Sequence, residues 1–313
     1  MHGISIILVN YKNKVLTENC INSIIHANTK IDYEIIVIDN HSEDGSVEYL
    51  RKNFSDIQIV DSGRNGGFSF ANNIGSKLAS GKYLLLLNND TEIYSNMLDD
   101  VFSAAENTPN IGLLGCRAVD KKGHELPIAH SYENLKKILL QTYIKPALEK
   151  VGLQRKVVSV IRGSREKTKE MIPADWIAGS AMLIRRDLYI ELSGLDENFF
   201  MYMEDEDLGH RVNDAGYWVG LVNSLGYVHY CGGSSIPSYF LTKEYIKSRL
   251  IFFMRYESDY FKVIKRALFN QIRIVNYALS RQQIKQMKRE LETFVQEEVK
   301  ERALHIRGID STN

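Results

Sequence analysis

Two acidic stretches in this sequence are placed where carboxylates can work on phosphates and protons. The first is Asn88-Asn89-Asp90, reached directly from the apolar run Tyr83-Leu84-Leu85-Leu86-Leu87. A continuous apolar run of this length reads as a strand covered on both faces, the pattern of a central strand in a parallel α/β sheet. Its polar end then lies at the C-terminal strand edge, where open α/β sheets bind ligands. A carboxylate held there suits a divalent cation carrying a phosphate. The competing reading is structural: the three residues turn the chain and cap a helix starting near Ser95. The second stretch is Glu204-Asp205-Glu206-Asp207, directly after Phe199-Phe200-Met201-Tyr202-Met203. These acids either complement the dipole of a helix N-terminus or supply a general base at a pocket floor, tuned by apolar neighbours. Leu208 and Val212 mark the buried face of that helix, and Arg211 falls one turn beyond Asp207. His229 lies in the strand-like run Gly226–Tyr230 and by itself reads as a packed residue.

The elements that must position these groups follow from periodicity. Ile4–Val9 is an apolar, β-branched strand, and Val15–Ala27 has apolar residues at helical spacing. Glu34–Ile38 is the next strand, ending at Asp39, which either caps a helix or faces a ligand. Asn40, Ser42, Asp44 and Gly45 carry turn and cap chemistry before a helix to about Asn53. After the short strand Ile57–Val60 comes GRNGGFSFANNIG. Its Asn65, Gly66 and Gly67 either make a tight turn or bring backbone amides to a ligand at a helix start. With Lys82–Leu87 as the central strand, this βαβαβαβ order and the right-handed crossover rule predict a Rossmann-like, doubly wound, mostly parallel sheet. Asn10, Asp39, Asn65 and Asp90 then share one edge, and their convergence carries more weight than any one motif.

From Ile111 the chain continues with the strand GLLGCRAV, then an excursion from Gly123 to Pro173, rich in lysine and arginine, that either crosses the crevice or is a solvated helical insertion. Trp176, a small-residue turn and the strand Ala181–Ile184 follow, and Tyr217–Val222 and Gly226–Tyr230 read as two short strands. Long helices begin at Tyr239. Between Lys243 and Arg289 twelve basic residues face three acidic ones, interleaved with Phe252, Phe253, Tyr256, Tyr260, Phe261 and Phe269. This suits an anionic membrane surface, or equally a helical appendix with a solvated basic face. The mixed-charge stretch 290–302 reads as a helix end or as an element for a homo-oligomer. The expected domains are 1–237, with the insertion at about 123–173, and a basic amphipathic helical extension, 238–313.

Composition bounds the function. Thirty-nine basic residues balance thirty-nine acidic ones, so no global charge points to nucleic acid. Cys20, Cys116 and Cys231 are odd in number and scattered, which speaks against a disulfide framework or a cysteine zinc site. The N-terminus lacks a basic leader segment, and no apolar run approaches the roughly 18 residues of a membrane span. A cytoplasmic location is the expectation.

The stretches SIILVNY, EIIVIDNHSEDGS, GRNGGFSFANNIG, YLLLLNNDTEI, WIAGSAMLIRRDLY, GLDENFFMYMEDEDLGHR and GYVHYCGGSS, in this order across residues 4–235, closely resemble the family 2 glycosyltransferases with a GT-A fold, within them the bacterial rhamnosyltransferase-like group. The resemblance implies inverting transfer from a nucleotide-diphosphate sugar. It places Asn10, Tyr11 and Asp39 at the nucleotide base and ribose with Asp44 nearby, and Asn65, Gly66, Asn88, Asn89 and Arg211 on the donor side. Asn88-Asn89-Asp90 matches the metal-binding DXD-type motif, with asparagine for the first aspartate, so that Asp90 is its only anionic ligand. His229, 24 positions after Asp205 (229 − 205), matches a histidine that joins the metal, Mg2+ or Mn2+. Asp205 takes the position of the catalytic base, and Trp176 and Glu204 those of acceptor-side residues. The QXXRW motif of processive synthases is absent, which favours addition of one or a few sugars. The expectation is transfer of L-rhamnose from dTDP-rhamnose to a lipid-linked oligosaccharide on the inner face of a bacterial membrane. The alternatives are a UDP-sugar donor, galactofuranose, galactose or another hexose, or an idle membrane-docked assembly protein.

Overall fold

The computed structural model describes residues 2–145, 171–230, 238–275 and 279–306. Residues 146–170 of the excursion and the CGGSS end of the last matching stretch lie outside them. The chain divides into two compact units, Met1–Tyr132 with Ser164–Ser235, and Glu133–Gly163 with Ile236–Asn313.

The first unit opens β1 (Ile4–Asn10), α1 (Lys14–His26), β2 (Tyr33–Asp39), α2 (Ser46–Asn53), β3 (Gln58–Asp61), α3 (Gly67–Leu78), β4 (Tyr83–Asn88). Strands β1 to β4 are parallel and lie in the order β3-β2-β1-β4. The winding therefore reverses between β1 and β4, and that switch point is where an open α/β sheet leaves a crevice. The register pairs Asn10 with Asp39 and Val9 with Asn88, so the polar strand ends converge on one edge as expected. Ile4, Ile6, Ile7 and Leu8 of β1 and Leu84 to Leu87 of β4 are buried, which accounts for their unbroken apolar runs.

Beyond β4 the sheet is mixed. β5 (Thr91–Ile93), α4 (Met97–Glu106) and β6 (Ile111–Val119) come next, then the two-residue strands β7 (Glu125–Leu126) and β8 (Ala129–His130). The short helix α5 (Leu135–Leu139) belongs to the second unit. The first unit resumes with β9 (Met171–Ala174), β10 (Trp176–Ile177), β11 (Ala181–Arg185), α6 (Arg186–Glu191), α7 (Glu204–Asp214) and β12 (Trp218–His229). β11 runs antiparallel between β4 and β6, β12 is parallel to β6, and β5 closes the row antiparallel to β12.

Three expectations change. Asn88-Asn89-Asp90 does not cap a helix: Asn89 and Asp90 turn the chain into β5, and α4 starts only at Met97. The two short strands expected before Tyr230 are one strand, β12. Its polar Asn223-Ser224 pair mimics a turn, but the register shifts between Val222 and Tyr227 absorb it as a bulge. The excursion is more than a helical insertion, since β7 pairs with β6 and β9 with β12.

In the second unit, α8 (Tyr239–Tyr256), α9 (Phe261–Val275) and α10 (Arg281–Ile306) follow α5 and the π-helical turn Leu140–Ile144. α8 is not an amphipathic surface helix. Leu250, Phe252 and Phe253 are fully buried, and so is Arg249, whose guanidinium donates to Glu133 Oε2 at 2.5 Å and to Gln271 Oε1 at 2.7 Å. Gln271 in turn donates to Thr142 Oγ1 at 2.8 Å. A buried cation requires such partners. α9 keeps the amphipathic pattern, with Ile264, Ala267, Leu268, Gln271 and Ile272 inside and Lys262, Val263 and Arg266 outside.

Candidate active site

The crevice edge at the ends of β1, β2 and β4 is a connected polar network. Asn10 and Asp39 are both inaccessible to solvent, and Asn10 Nδ2 donates to Asp39 Oδ2 at 2.6 Å. Ser42 donates to the same carboxylate from its backbone N–H, 2.7 Å, and from its hydroxyl, 2.8 Å. Thr17 Oγ1 donates to Asn10 Oδ1 at 2.8 Å and accepts from Asn89 Nδ2 at 2.8 Å. The end of β1 is thereby tied to the turn after β4. Tyr11, 45% exposed, stands beside this network with the Lys12 ammonium 5.3 Å from its ring. Asp44 lies exposed on the rim and accepts from the backbone and hydroxyl of Ser46, which holds its carboxyl below the usual carboxylate range. Those bonds make it a turn former ahead of α2.

The glycine loop closes the same edge. Asn40 Nδ2 donates to Asn65 Oδ1 at 2.9 Å, and Asn40 Oδ1 accepts from Gly66 N–H at 3.1 Å. Gly67 has φ +87°, and a Cβ there would sit 2.1 Å from the Phe200 carbonyl oxygen, which accepts from Phe68 N–H at 2.8 Å. The close approach that demands glycine is therefore to the segment 199–203 of the chain itself. This packing carries the start of α7 to the crevice edge.

α7 begins after two left-handed non-glycine residues, Tyr202 at φ +68° and Met203 at φ +70°, an arrangement that surrounding structure must hold in place. Its side anchors are clear. Gly209 lets the helix lie on β10, since a Cβ there would fall 2.6 Å from Trp176 Cβ. Asp207 is buried and pairs with Arg211 Nε at 2.8 Å, while Arg211 Nη1 donates to the carbonyls of Leu192 and Gly194. Arg211, expected on the donor side, is thus engaged in pinning α7 to the end of α6. Trp176 stacks on His130, ring centroids 4.2 Å apart, and donates to the Ser131 carbonyl.

Asp205 is left with a different environment. Its Oδ2 accepts from the Gly179 N–H at 3.0 Å and its Oδ1 from the Glu206 N–H at 2.9 Å. Burial pushes its pKa up to about 6, with these backbone donors opposing the shift. Glu204 is only 6% exposed, and burial together with the charge of Asp205 raises it well above the carboxylate range. Its Oε2 has no hydrogen-bond partner among the described residues. The Gly179-Ser180 turn links this pair to the sheet edge, because Asn88 N–H donates to the Ser180 carbonyl at 3.0 Å. Ser180 is itself held by Tyr227, their hydroxyls 2.6 Å apart.

Two residues beyond Asn88, Asp90 meets His229. His229 Nε2 lies 3.0 Å from Asp90 Oδ1, both side chains being mostly buried, and the pairing of β12 with β5 brings these residues together across 139 positions of sequence. One carboxylate and one imidazole form a set suited to an ion delivered on a diphosphate, since Mg2+ is typically held by one or two carboxylates with phosphates and water completing its shell. An ion bound by the protein alone would need more: among the described residues no group of three or more His, Cys, Asp or Glu side chains could hold one. Thr17, Asn40, Ser42, Gly179 and Phe200 complete the site. They bear common side chains or act through backbone atoms, and only the turn signals around Asn40 and Gly179 could have pointed to them.

Known proteins resemble this chain in sequence and in fold. Residues 5–193 match the family described as "Glycosyl transferase family 2". A relative from Mycobacterium tuberculosis, N-acetylglucosaminyl-diphospho-decaprenol L-rhamnosyltransferase, is 26% identical over 213 residues, covering 64% of this chain and 68% of that protein. Rhamnosyltransferase WbbL of Escherichia coli K12 is 26% identical over 205 residues, 63% of this chain and 73% of that one. The low-salt glycan biosynthesis hexosyltransferase Agl10 of Haloferax volcanii is 25% identical over 233 residues, 73% and 67%. Among solved structures, GalNAc-T7 with UDP, GalNAc and Mn2+ has the same fold, with a TM-score of 0.58, 16% identity, and coverage of 93% of this chain and 55% of that one. With the family match spanning more than half of its length, and on a GT-A-like sheet with its polar strand ends at one crevice, the chain belongs to glycosyl transferase family 2.

Proposed function

We propose that this glycosyltransferase moves L-rhamnose from dTDP-rhamnose, with inversion at the anomeric carbon, onto a hydroxyl of a lipid-linked oligosaccharide in bacterial surface polysaccharide synthesis. The observation that carries the reading is Asp205, a carboxylate oriented by the Gly179 and Glu206 amides and tuned to about 6 beside a buried, partnerless Glu204 oxygen. A base with its pKa just below neutrality is ionised at working pH yet basic enough to accept a proton in the transition state. Asp205 takes the proton of the acceptor hydroxyl while that oxygen bonds to the anomeric carbon and the bond to the diphosphate breaks on the opposite face. The Asn10, Asp39 and Ser42 network receives the nucleoside, and Trp176 and Glu204 line the acceptor side. Asp90 and His229 would hold Mg2+ or Mn2+, which when bound neutralises charge on the leaving diphosphate. The names of two relatives favour rhamnose, and that of the Haloferax hexosyltransferase keeps transfer of another hexose as the second reading.

Calorimetric titration of dTDP-rhamnose, UDP-galactose, UDP-glucose, UDP-N-acetylglucosamine and UDP-galactofuranose, with and without Mn2+, tests the donor on the wild type and on Asp90→Ala. Metal-dependent binding of dTDP-rhamnose alone, lost in the variant, is the expected outcome. Binding of a UDP-sugar instead would replace the donor, and metal-independent binding would remove Asp90 and His229 from ion binding.

A lipid-linked acceptor calls for a surface that meets a bilayer. No helix of the described residues is long and apolar enough to cross one. Within the second unit, Tyr260, just before α9, and Val263 in its first turn are half exposed, and further along the helix Asn270 donates to Tyr143, which with Ile144 is also about half exposed. Exposed Lys262, Arg266 and Lys145 flank them. Apolar side chains ringed by cations suit an anionic headgroup layer. Flotation with phosphatidylglycerol vesicles, weakened by Val263→Asp and by salt, is expected; equal flotation of the variant would exclude this face.

A further inference from the structure

The inference concerns the acceptor side of the site just proposed and rests on that reading. It begins with a glycine that has no structural reason to be one. At the other described glycines a methyl group would either collide with a neighbour at less than 3.0 Å or sit on a backbone with positive φ. Gly179 does neither. Its φ lies outside the positive region, and an added Cβ would have as its nearest atoms Asp205 Oδ2 at 3.5 Å, Asp205 Cβ at 3.7 Å and Glu204 Oε1 at 3.8 Å, all ordinary contact distances. Packing and backbone geometry would both accept alanine here.

The position a side chain would take is therefore bordered by two carboxylates, Asp205 Oδ2 and Glu204 Oε1. One of them, Asp205, is the proposed base. The other, Glu204, is 6% exposed and presents Oε1 to this position at 3.8 Å, while its Oε2 is buried and unpartnered among the described residues. A sugar hydroxyl has the size and the donor to bond the Glu204 Oε1 that borders this position.

We propose that Gly179 reserves an acceptor subsite in which two hydroxyls of one sugar are bound together, the attacking one at Asp205 and a neighbouring one at Glu204. The ligand class is a sugar with an adjacent pair of free hydroxyls, and Gly179 is a specificity position, its side chain absent so that the diol can reach both carboxylates. Asp205 accepts the proton of the first hydroxyl during transfer, and Glu204 holds the second without changing its covalent state.

The test uses the full-length protein, the donor found by calorimetry, and N-acetylglucosaminyl diphosphate on a short polyprenyl chain as probe acceptor, with its single-deoxy analogues. Gly179→Ala should melt at the wild-type temperature and bind donor within about twofold of wild type. Its acceptor KM should rise by about 10- to 200-fold, the range in which one misplaced methyl group acts in a binding pocket. Gly179→Val should go further in the same direction. Glu204→Gln should lose discrimination between the probe and the deoxy analogue lacking the neighbouring hydroxyl. An unchanged acceptor KM in Gly179→Ala would overturn the subsite, and so would donor affinity falling in parallel, because the volume would then belong to the donor. If the wild type transfers no sugar from any donor, the transferase reading falls and takes the subsite with it.

Discussion

The two carboxylates Asp39 and Asp205 are held in opposite ways at one sheet edge. Asp39 has no exposed surface and accepts from Asn10, from the Ser42 backbone and from the Ser42 hydroxyl, so its charge is fully answered by neutral donors. Asp205 has two backbone donors, stands next to a second carboxylate and is pushed up to about 6. Full satisfaction makes a rigid framework, whereas partial satisfaction keeps a group reactive and costs stability. Under the proposed mechanism the first part of the crevice holds the nucleoside and the second handles a proton.

Asp205→Asn should have the largest effect. The amide keeps the shape and cannot take the proton, so transfer should fall by about 10²- to 10⁴-fold while calorimetric donor binding stays intact. Near-normal turnover would move the base elsewhere. The next test is pH. Protonated Asp205 is inactive, so kcat/KM should drop about tenfold per unit below about pH 6 and level off above it. A flat profile through this range would break the contrast with Asp39.

Asp39→Ala should act on stability. It strands the Asn10 amide and two Ser42 donors in a buried place, at a cost on the order of 3 kcal/mol in urea unfolding. The smallest effect sharpens the comparison through its sign. The folded pKa of Asp205 is raised, so between its ordinary value and about 6 the native state binds more protons than the unfolded chain. Its charge therefore lowers stability as pH rises through that window. Asp205→Asn should melt above the wild type at pH 8, the two converging near pH 4.

Legibility in the sequence followed the range of the interaction. Strands β1 to β4, the helices between them and the common edge of Asn10, Asp39 and Asn88 could be read directly. Apolar periodicity and strand-helix alternation are local signals, and the crossover rule turns them into a topology. The bulged β12 was misread because Asn223-Ser224 looks like a turn when the partner strand is out of view. The burial of Arg249 was hidden too, since its partners Glu133 and Gln271 come from other segments of the chain.

The sequence by itself determined which residues have chemical capacity, the parallel half of the sheet, and the family, since the resemblance is carried by short stretches whose order is visible in one dimension. Only the tertiary structure decided how these consecutive acids are partnered. Asp207 is spent on Arg211, while the Gly179 turn, packed beside α7, orients Asp205 and leaves Glu204 an oxygen without a partner. Adjacent carboxylates are alike in sequence. What separates them is burial and the donors that other strands bring within about 3 Å, and those exist only after the chain has folded.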